Sequence, residues 1–259
     1  MRELLPEQSR AGADAANAAL LTFKAKTAPR RRGYGKCFPC ELLLAEASSE
    51  QRADFDAVVD DQDFGHSEVL YRATAPVGTV HFIQMGAVKL LRSGPAGEQR
   101  IVRVLKPGDS AGIESVLSHT YEHTAIALGD VRACSIPVAL FLKLAAGSGR
   151  TQMWLLQKSL TALKEVETWL LQLAGGSIPA NVRMARLLLK LRANDEDHIY
   201  RLANKEMGDI VGLVPETVCR IISEFGRQGI IAKDDCGSIF SKRYFRGNIQ
   251  ALKKIAENI

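Results

Sequence analysis

The chain has 259 residues, 46% of them hydrophobic, with five cysteines and a formal net charge of +5. That composition excludes wholesale disorder and allows two ordinary domains with full cores. No run of about 18 apolar residues occurs, so no helical membrane span is expected. The N-terminus MRELLPEQSRAGADAANAALL lacks the basic-then-apolar order of an export signal. A cytoplasmic location follows as the expectation, and there cysteines serve as free thiols, metal ligands or redox groups more readily than as structural disulfides. The positive excess permits a polyanionic partner without demanding one.

In chain order, residues 1–35 read as a loose extension, with a short helix expected near Ala15 to Phe23. A domain over 36–148 opens with GKCFPCELLL, which sets Cys37 and Cys40 three apart. From Glu68 to Pro137 short apolar runs (TVHFIQ, AVKLLRS, QRIVRVL, EHTAIAL, VRACSI) alternate with turns, and Gly86, Gly97 and Gly108 punctuate them at even spacing. Short strands in that rhythm predict an antiparallel sandwich or barrel. No helical stretch separates them, which excludes a βαβ alternation.

A long helix is expected over 149–176. Leu156, Leu160, Leu163 and Leu170 form a narrow heptad seam with Glu167 in the vacant slot, as in a coiled-coil dimer. The plainer alternative is a helix packed on its own barrel. Gly175-Gly176-Ser177-Ile178-Pro179 reads as a hinge.

Residues 177–259 are predicted helical with a small β element near the end. Helices are expected over Val182–Leu191 and Asn204–Val211, the second capped by Asn204. Gly212-Leu213-Val214 makes a turn, and Pro215 opens a third helix where its missing N–H is harmless. Val218, Ile221, Ile222 and Phe225 form one apolar stripe, and Met207, Ile210 and Val211 form the matching one. Two short helices joined by a Gly-containing turn predict a helix-turn-helix. The stripe then forces Glu216, Cys219, Arg220 and Ser223 outward at the helix end that enters the DNA major groove. An Arg fork can donate to guanine O6 and N7, and a Glu can accept from cytosine N4. Lys205, Arg227, Lys242, Arg243 and Arg246 are candidates for phosphate contacts, and GIIAKDDCGSIFSKR for a β-hairpin wing. A helical hairpin carrying a Glu–Arg surface pair is the alternative. No nucleophile–base arrangement, phosphate loop or paired-carboxylate motif stands out, so an enzyme is not expected.

Over roughly residues 65 to 247 the layout resembles the CRP/FNR superfamily of bacterial transcription regulators, most clearly in VHFIQMGAVKLL, LKPGDSAG and MGDIVGLVPETVCRIISEFGRQGII. The resemblance implies an α+β chain. Its parts would be an N-terminal β-roll (a cyclic-nucleotide-binding-like jelly roll), a long dimerisation helix and a C-terminal winged helix-turn-helix. It also implies a homodimer on a palindromic double-stranded DNA site, in contact with RNA polymerase. The recognition segment Pro-Glu-Thr-Val-Cys-Arg resembles the FNR-branch pattern Glu-Thr-x-Ser-Arg, so Glu216, Thr217 and Arg220 take the family's positions and Cys219 replaces its serine. GIESVLSHTYEHTAIAL contains no Arg to pair with a cyclic phosphate, so cyclic AMP is not expected.

The FNR branch holds an oxygen-labile [4Fe–4S] cluster on three N-terminal cysteines and one from the barrel. By that resemblance Cys134 in RACSIP is the barrel ligand, and Cys37 and Cys40 are two of the other three, with Glu46 a candidate for the fourth position. Such a cluster ordinarily takes four thiolates. Two alternatives stay open: a dithiol switch between Cys37 and Cys40, or ordinary buried cysteines. A barrel binding haem or another small ligand would draw on His66, His81, His119 or His123, and a ligand-independent dimer is a further alternative. Cys219 is a candidate for oxidation on the DNA-facing helix. Facing copies of Glu167 would repel across the seam, as an acidic residue does in the FNR pattern.

Overall fold

The computed structural model describes residues 38–94, 97, 99–114, 118–173, 178–193, 197–233 and 244–257. Cys37, the expected helix near Ala15, most of the expected hinge, and Cys236, Lys242 and Arg243 of the wing lie outside the described residues.

Two short helices open the described residues, α1 (Phe38–Leu44) and α2 (Ser49–Val58). Ser48 caps α2 in a reciprocal capping box with Gln51. Eight strands follow: β1 (Asp60–Phe64), β2 (Val69–Tyr71), β3 (Thr79–Met85), β4 (Val88–Ser93), β5 (Gln99–Leu105), β6 (Ser110–Ala111), β7 (Thr124–Ala127) and β8 (Val131–Pro137). They form two antiparallel four-stranded sheets, ordered β1-β8-β3-β6 and β2-β7-β4-β5. The expected turns fall at Gly86, Gly97 and Gly108, all at positive φ. The β-roll begins earlier than the apolar runs indicate. Strand β1 (DDQDF) is charged and precedes the first of those runs. It pairs with β8 along its whole length, and its carboxylates are met across the sheet, Asp63 by Arg132 at 2.8 Å and Asp61 by Gln84 at 2.8 Å. An edge strand with partly exposed faces tolerates such a sequence, which hides it from a hydrophobic scan.

Helix α3 (Val138–Ala146) leads into the long helix α4 (Gly149–Leu173). Then come α5 (Ala180–Lys190), β9 (His198–Tyr200), α6 (Asn204–Val211), α7 (Pro215–Arg227), β10 (Ile231–Lys233), β11 (Tyr244–Gly247) and α8 (Ile249–Glu257). The three strands form a small antiparallel sheet, β10-β11-β9. Asn204 is not the cap of α6. Ala203 occupies that position, and the Glu206 carboxylate accepts its backbone N–H at 3.0 Å. A carboxylate three residues into the helix satisfies the cap residue's own N–H, the half of a capping box that needs no polar side chain at the cap.

Three apolar clusters organise the chain. One fills the β-roll around Ile83, Val88, Leu105 and Tyr121. A second lies where α1 and α2 meet β3, β8 and α3, with Phe55, Phe82, Ile136 and Phe141 at its centre and Trp154 and Leu155 of α4 against it. The third is the C-terminal core of Met184, Leu188, Met207, Val218 and Phe225. It continues into Ala87, Ile101, Val104 and Leu128 of the β-roll, so the two domains share packing. Lys89 donates to Glu206 across that junction, and Lys106 Nζ donates to the Arg192 carbonyl at 2.7 Å.

Candidate DNA-reading face and thiol centre

Helix α7 is a short amphipathic rod. Val218, Ile221 and Phe225 are buried, so Glu216, Cys219, Arg220, Ser223 and Arg227 are exposed and Thr217 is half-buried. Pro215 sits in the first turn, and Glu216 lies where the helix dipole favours a negative charge. The turn before it depends on two glycines. Gly212 is left-handed at φ 66°, ending α6. Gly208 inside α6 lets the chain fold back, because a Cβ there would lie 2.4 Å from the Leu213 carbonyl oxygen. Arg183 of α5 donates to the Val211 carbonyl and holds the turn from below.

The expected phosphate contacts divide. Lys205 is exposed and bonded to Asp209 at 2.8 Å, Arg227 is paired with Glu224, and Arg246 is exposed on β11. Val214, 60% exposed at the cap of the reading helix, is an apolar neighbour of this face that the sequence reading did not select.

On α4, Leu156, Leu160 and Leu163 are 51–56% exposed, and Glu167 is exposed in the same row. Met153 and Val166 extend the apolar surface at 56% and 52%. Met153 fits the heptad three residues before Leu156, and a count of leucines alone passes over it. The side chain of Leu170 lies outside the described side chains. The opposite face of α4, through Trp154 and Leu155, packs on the β-roll, so the helix has both a home face and an open one.

The cysteines assigned to the sensor come together as far as they are described. Cys40 on α1 and Cys134 in the middle of β8 are 94 residues apart in sequence, and their Sγ atoms lie 3.1 Å apart. Both are buried, at 1% and 0% exposure, in the cluster of Leu43, Phe55, Phe82, Ile136 and Phe141. Glu46 is exposed on the turn after α1. Among the described residues no three His, Cys, Asp or Glu side chains come close enough to share a metal ion. The thiol centre is also next to the long helix. Cys134 faces Phe82 across the β3–β8 ladder, and the Phe82 ring lies 6.0 Å from those of Trp154 and Phe141.

The candidate histidines are spread through the β-roll. His66 bonds to the Leu128 carbonyl, His123 pairs with Glu114 at 3.1 Å, and His119 is exposed. His81 is buried inside, edge-on to Phe64 and stacked near Tyr71, which itself stacks on Tyr121 at 4.0 Å. The Ser135 hydroxyl donates to Gln62, which leaves its oxygen to accept from His81 Nδ1 at 2.8 Å. Burial pushes the His81 imidazole down to about 4, so the ring is neutral near pH 7. Burial pushes the Tyr71 phenol up, with the Glu114 charge adding to it.

Comparison with known proteins agrees with this architecture. Residues 62–148 match the cyclic nucleotide-binding domain family and residues 182–242 the Crp-like helix-turn-helix domain family. The transcriptional regulatory protein btr of Bordetella pertussis is 26% identical over 63% of this chain and 70% of its own. The transcriptional activator protein anr of Pseudomonas aeruginosa is 24% identical over 76% of this chain and 82% of its own. The anaerobic regulatory protein of Haemophilus influenzae is 22% identical over 76% of this chain and 79% of its own. Among solved structures, FixK2 from Bradyrhizobium japonicum superposes with a TM-score of 0.63 at 24% identity, covering 78% of this chain and 99% of that one. With a β-roll, a long helix and a helix-turn-helix in that order, the chain carries the cyclic nucleotide-binding and Crp-like helix-turn-helix domains that together define the CRP/FNR superfamily of transcription regulators.

Proposed function

We propose that this regulator works as a cytoplasmic homodimer on a two-fold symmetric DNA site, in contact with RNA polymerase, and responds to oxygen or cellular redox state. The observation that carries the signal is the meeting of Cys40 and Cys134 beside the long helix. The names of two relatives, both anaerobic regulatory proteins, support the same signal. Pairing along the open seam of α4 would bury Met153, Leu156, Leu160 and Leu163 and set two copies of α7 about one DNA turn apart. Glu216 and Arg220 are proposed as base readers, Thr217 and Cys219 as their neighbours on the groove, and Lys205 and Arg227 as phosphate contacts.

An iron–sulfur cluster fits this centre only in part. Cys40 and Cys134 could supply two thiolates, and Cys37 lies three residues before Cys40 in sequence. Four donors are ordinarily needed, and the exposed Glu46 is not grouped with the pair. Two thiolates sharing one tetrahedral ion stand about 3.8 Å apart, from metal–sulfur bonds near 2.3 Å, and thiolates on different irons of a cluster stand farther apart still. The 3.1 Å separation is closer than that, which favours thiol oxidation as the second reading. In either case a change at the sulfurs would reach α4 through Phe82 and Trp154, by direct packing.

The test is to purify the protein without oxygen, assay iron and sulfide, record the visible spectrum and admit air. Iron with sulfide, a broad shoulder near about 400 nm that bleaches, and weakened dimerisation would establish a cluster sensor. A Soret band would replace it with haem. Colourless protein with unchanged DNA binding in air and under peroxide would defeat the redox reading and leave a ligand-independent dimer.

A further inference from the structure

We infer that Cys40 and Cys134 are a disulfide-forming pair, so that the cluster-free chain closes a covalent bond between α1 and the centre of the β-roll. This rests on the redox reading above but names a different bond from the Cys37–Cys40 pairing that sequence spacing indicates. Four observations carry it. The sulfurs are 3.1 Å apart, and a disulfide needs them at about 2.0 Å, so roughly 1 Å of closure completes the bond. Cys134 cannot move far, because β8 is paired on one side to β1 and on the other to β3. Cys40 lies outside both sheets, on a seven-residue helix that ends at the Ala45 turn, so no ladder hydrogen bond opposes the small shift that closes the gap. Finally, the cluster around the pair is apolar, and a neutral disulfide suits it better than two adjacent thiolates.

A bond between Cys37 and Cys40 would join positions three apart in the chain and tie the N-terminal segment only to itself. A bond from Cys40 to Cys134 ties the N-terminal segment to the β-roll at the point where Phe82 touches Trp154. It closes a loop spanning 94 positions, the kind of cross-link that restricts the unfolded chain most. The oxidant is a hydroperoxide. The Cys40 sulfur attacks one peroxide oxygen, the O–O bond breaks, and water leaves as Cys40 becomes a sulfenic acid. The Cys134 sulfur then displaces that oxygen, the S–O bond breaks, and the second water leaves with the Cys134 proton. Two thiols lose two electrons and two protons, and one hydrogen peroxide becomes two waters.

The experiment uses the full-length chain, with iron and sulfide assayed on the same sample. After hydrogen peroxide and an acid quench, free thiols are alkylated and the protein is digested with trypsin. The expected product is the peptide 37–52 linked to the peptide 133–143, lost on dithiothreitol. Fragmentation between Cys37 and Cys40 assigns the bond in the unmutated chain. Cys37→Ser is expected to keep the link and Cys40→Ser or Cys134→Ala to remove it, each variant being checked for folding by circular dichroism. A Cys37–Cys40 bond within one peptide, or a link that survives Cys40→Ser, overturns the inference. So does an oxidised sample, freed of iron where iron was present, in which Cys40 and Cys134 are both recovered alkylated. An iron-loaded sample that links only after losing iron supports both this bond and the cluster, and an iron-free sample that links supports the bond alone.

Discussion

The reading helix and the thiol centre place function at opposite depths. Helix α7 buries its apolar stripe and offers Glu216, Cys219 and Arg220 to solvent, each exposed, with the fold acting as their platform. The thiol centre buries the reactive groups themselves, so its chemistry and its packing are the same atoms. The difference teaches how each part tolerates change. On the proposed function, a substitution on the outer face of α7 should alter DNA recognition and leave the core intact, whereas one at Cys40 or Cys134 should change stability and signalling together.

That contrast can be attacked at four points. Gly208→Val should be the most damaging, because its Cβ would enter the Leu213 carbonyl. A loss of about 3 kcal/mol or more in denaturant unfolding is expected, with DNA binding abolished and the β-roll thiols unchanged. If the thiols also became reactive, the two regions would not be separable. His81 gives a pH test on the buried side. Its folded value of about 4 lies below the ordinary 6.5, so the unfolded chain binds the extra proton. Stability should therefore be full above pH 6.5 and fall as the pH drops toward 4, by up to about 3 kcal/mol. His81→Asn should flatten that slope. On the exposed side, Arg220→Ala should weaken binding to the specific DNA site by roughly 10- to 100-fold, with Arg220→Lys a poor substitute, as read by fluorescence anisotropy at fixed salt. Glu167→Ala should have the smallest effect, tightening self-association by about 1 kcal/mol in sedimentation equilibrium. An unchanged equilibrium would remove Glu167 from the seam.

Periodicity made the outward half legible. The stripe Val218, Ile221, Phe225 leaves only one face for Glu216 and Arg220, so the three-residue turn and the helix bounds could be read in advance. The same logic exposed Leu156, Leu160 and Leu163 but passed over Met153 and Val166. The inward half resisted, because its contacts are non-local. Nothing between Cys40 and Cys134 in the chain announces that α1 folds onto β8. Family resemblance named both cysteines, but only the tertiary arrangement set them against each other. Strand β1 escaped for a different reason: its carboxylates are satisfied across the sheet by Arg132 and Gln84, a pairing invisible along the chain.

Glu206 places the two domains in one local equilibrium. Its carboxylate caps the first helix of the reading motif through Ala203 and also receives Lys89 from the β-roll. Pulling the domains apart would leave that carboxylate with the cap alone, and fraying the start of α6 would loosen its hold on Lys89. Amide hydrogen exchange at the first turn of α6 therefore becomes a gauge of how firmly the sensor grips the reader. A Lys89→Met substitution should speed exchange there while the recognition helix, one turn of chain further on, keeps its protection.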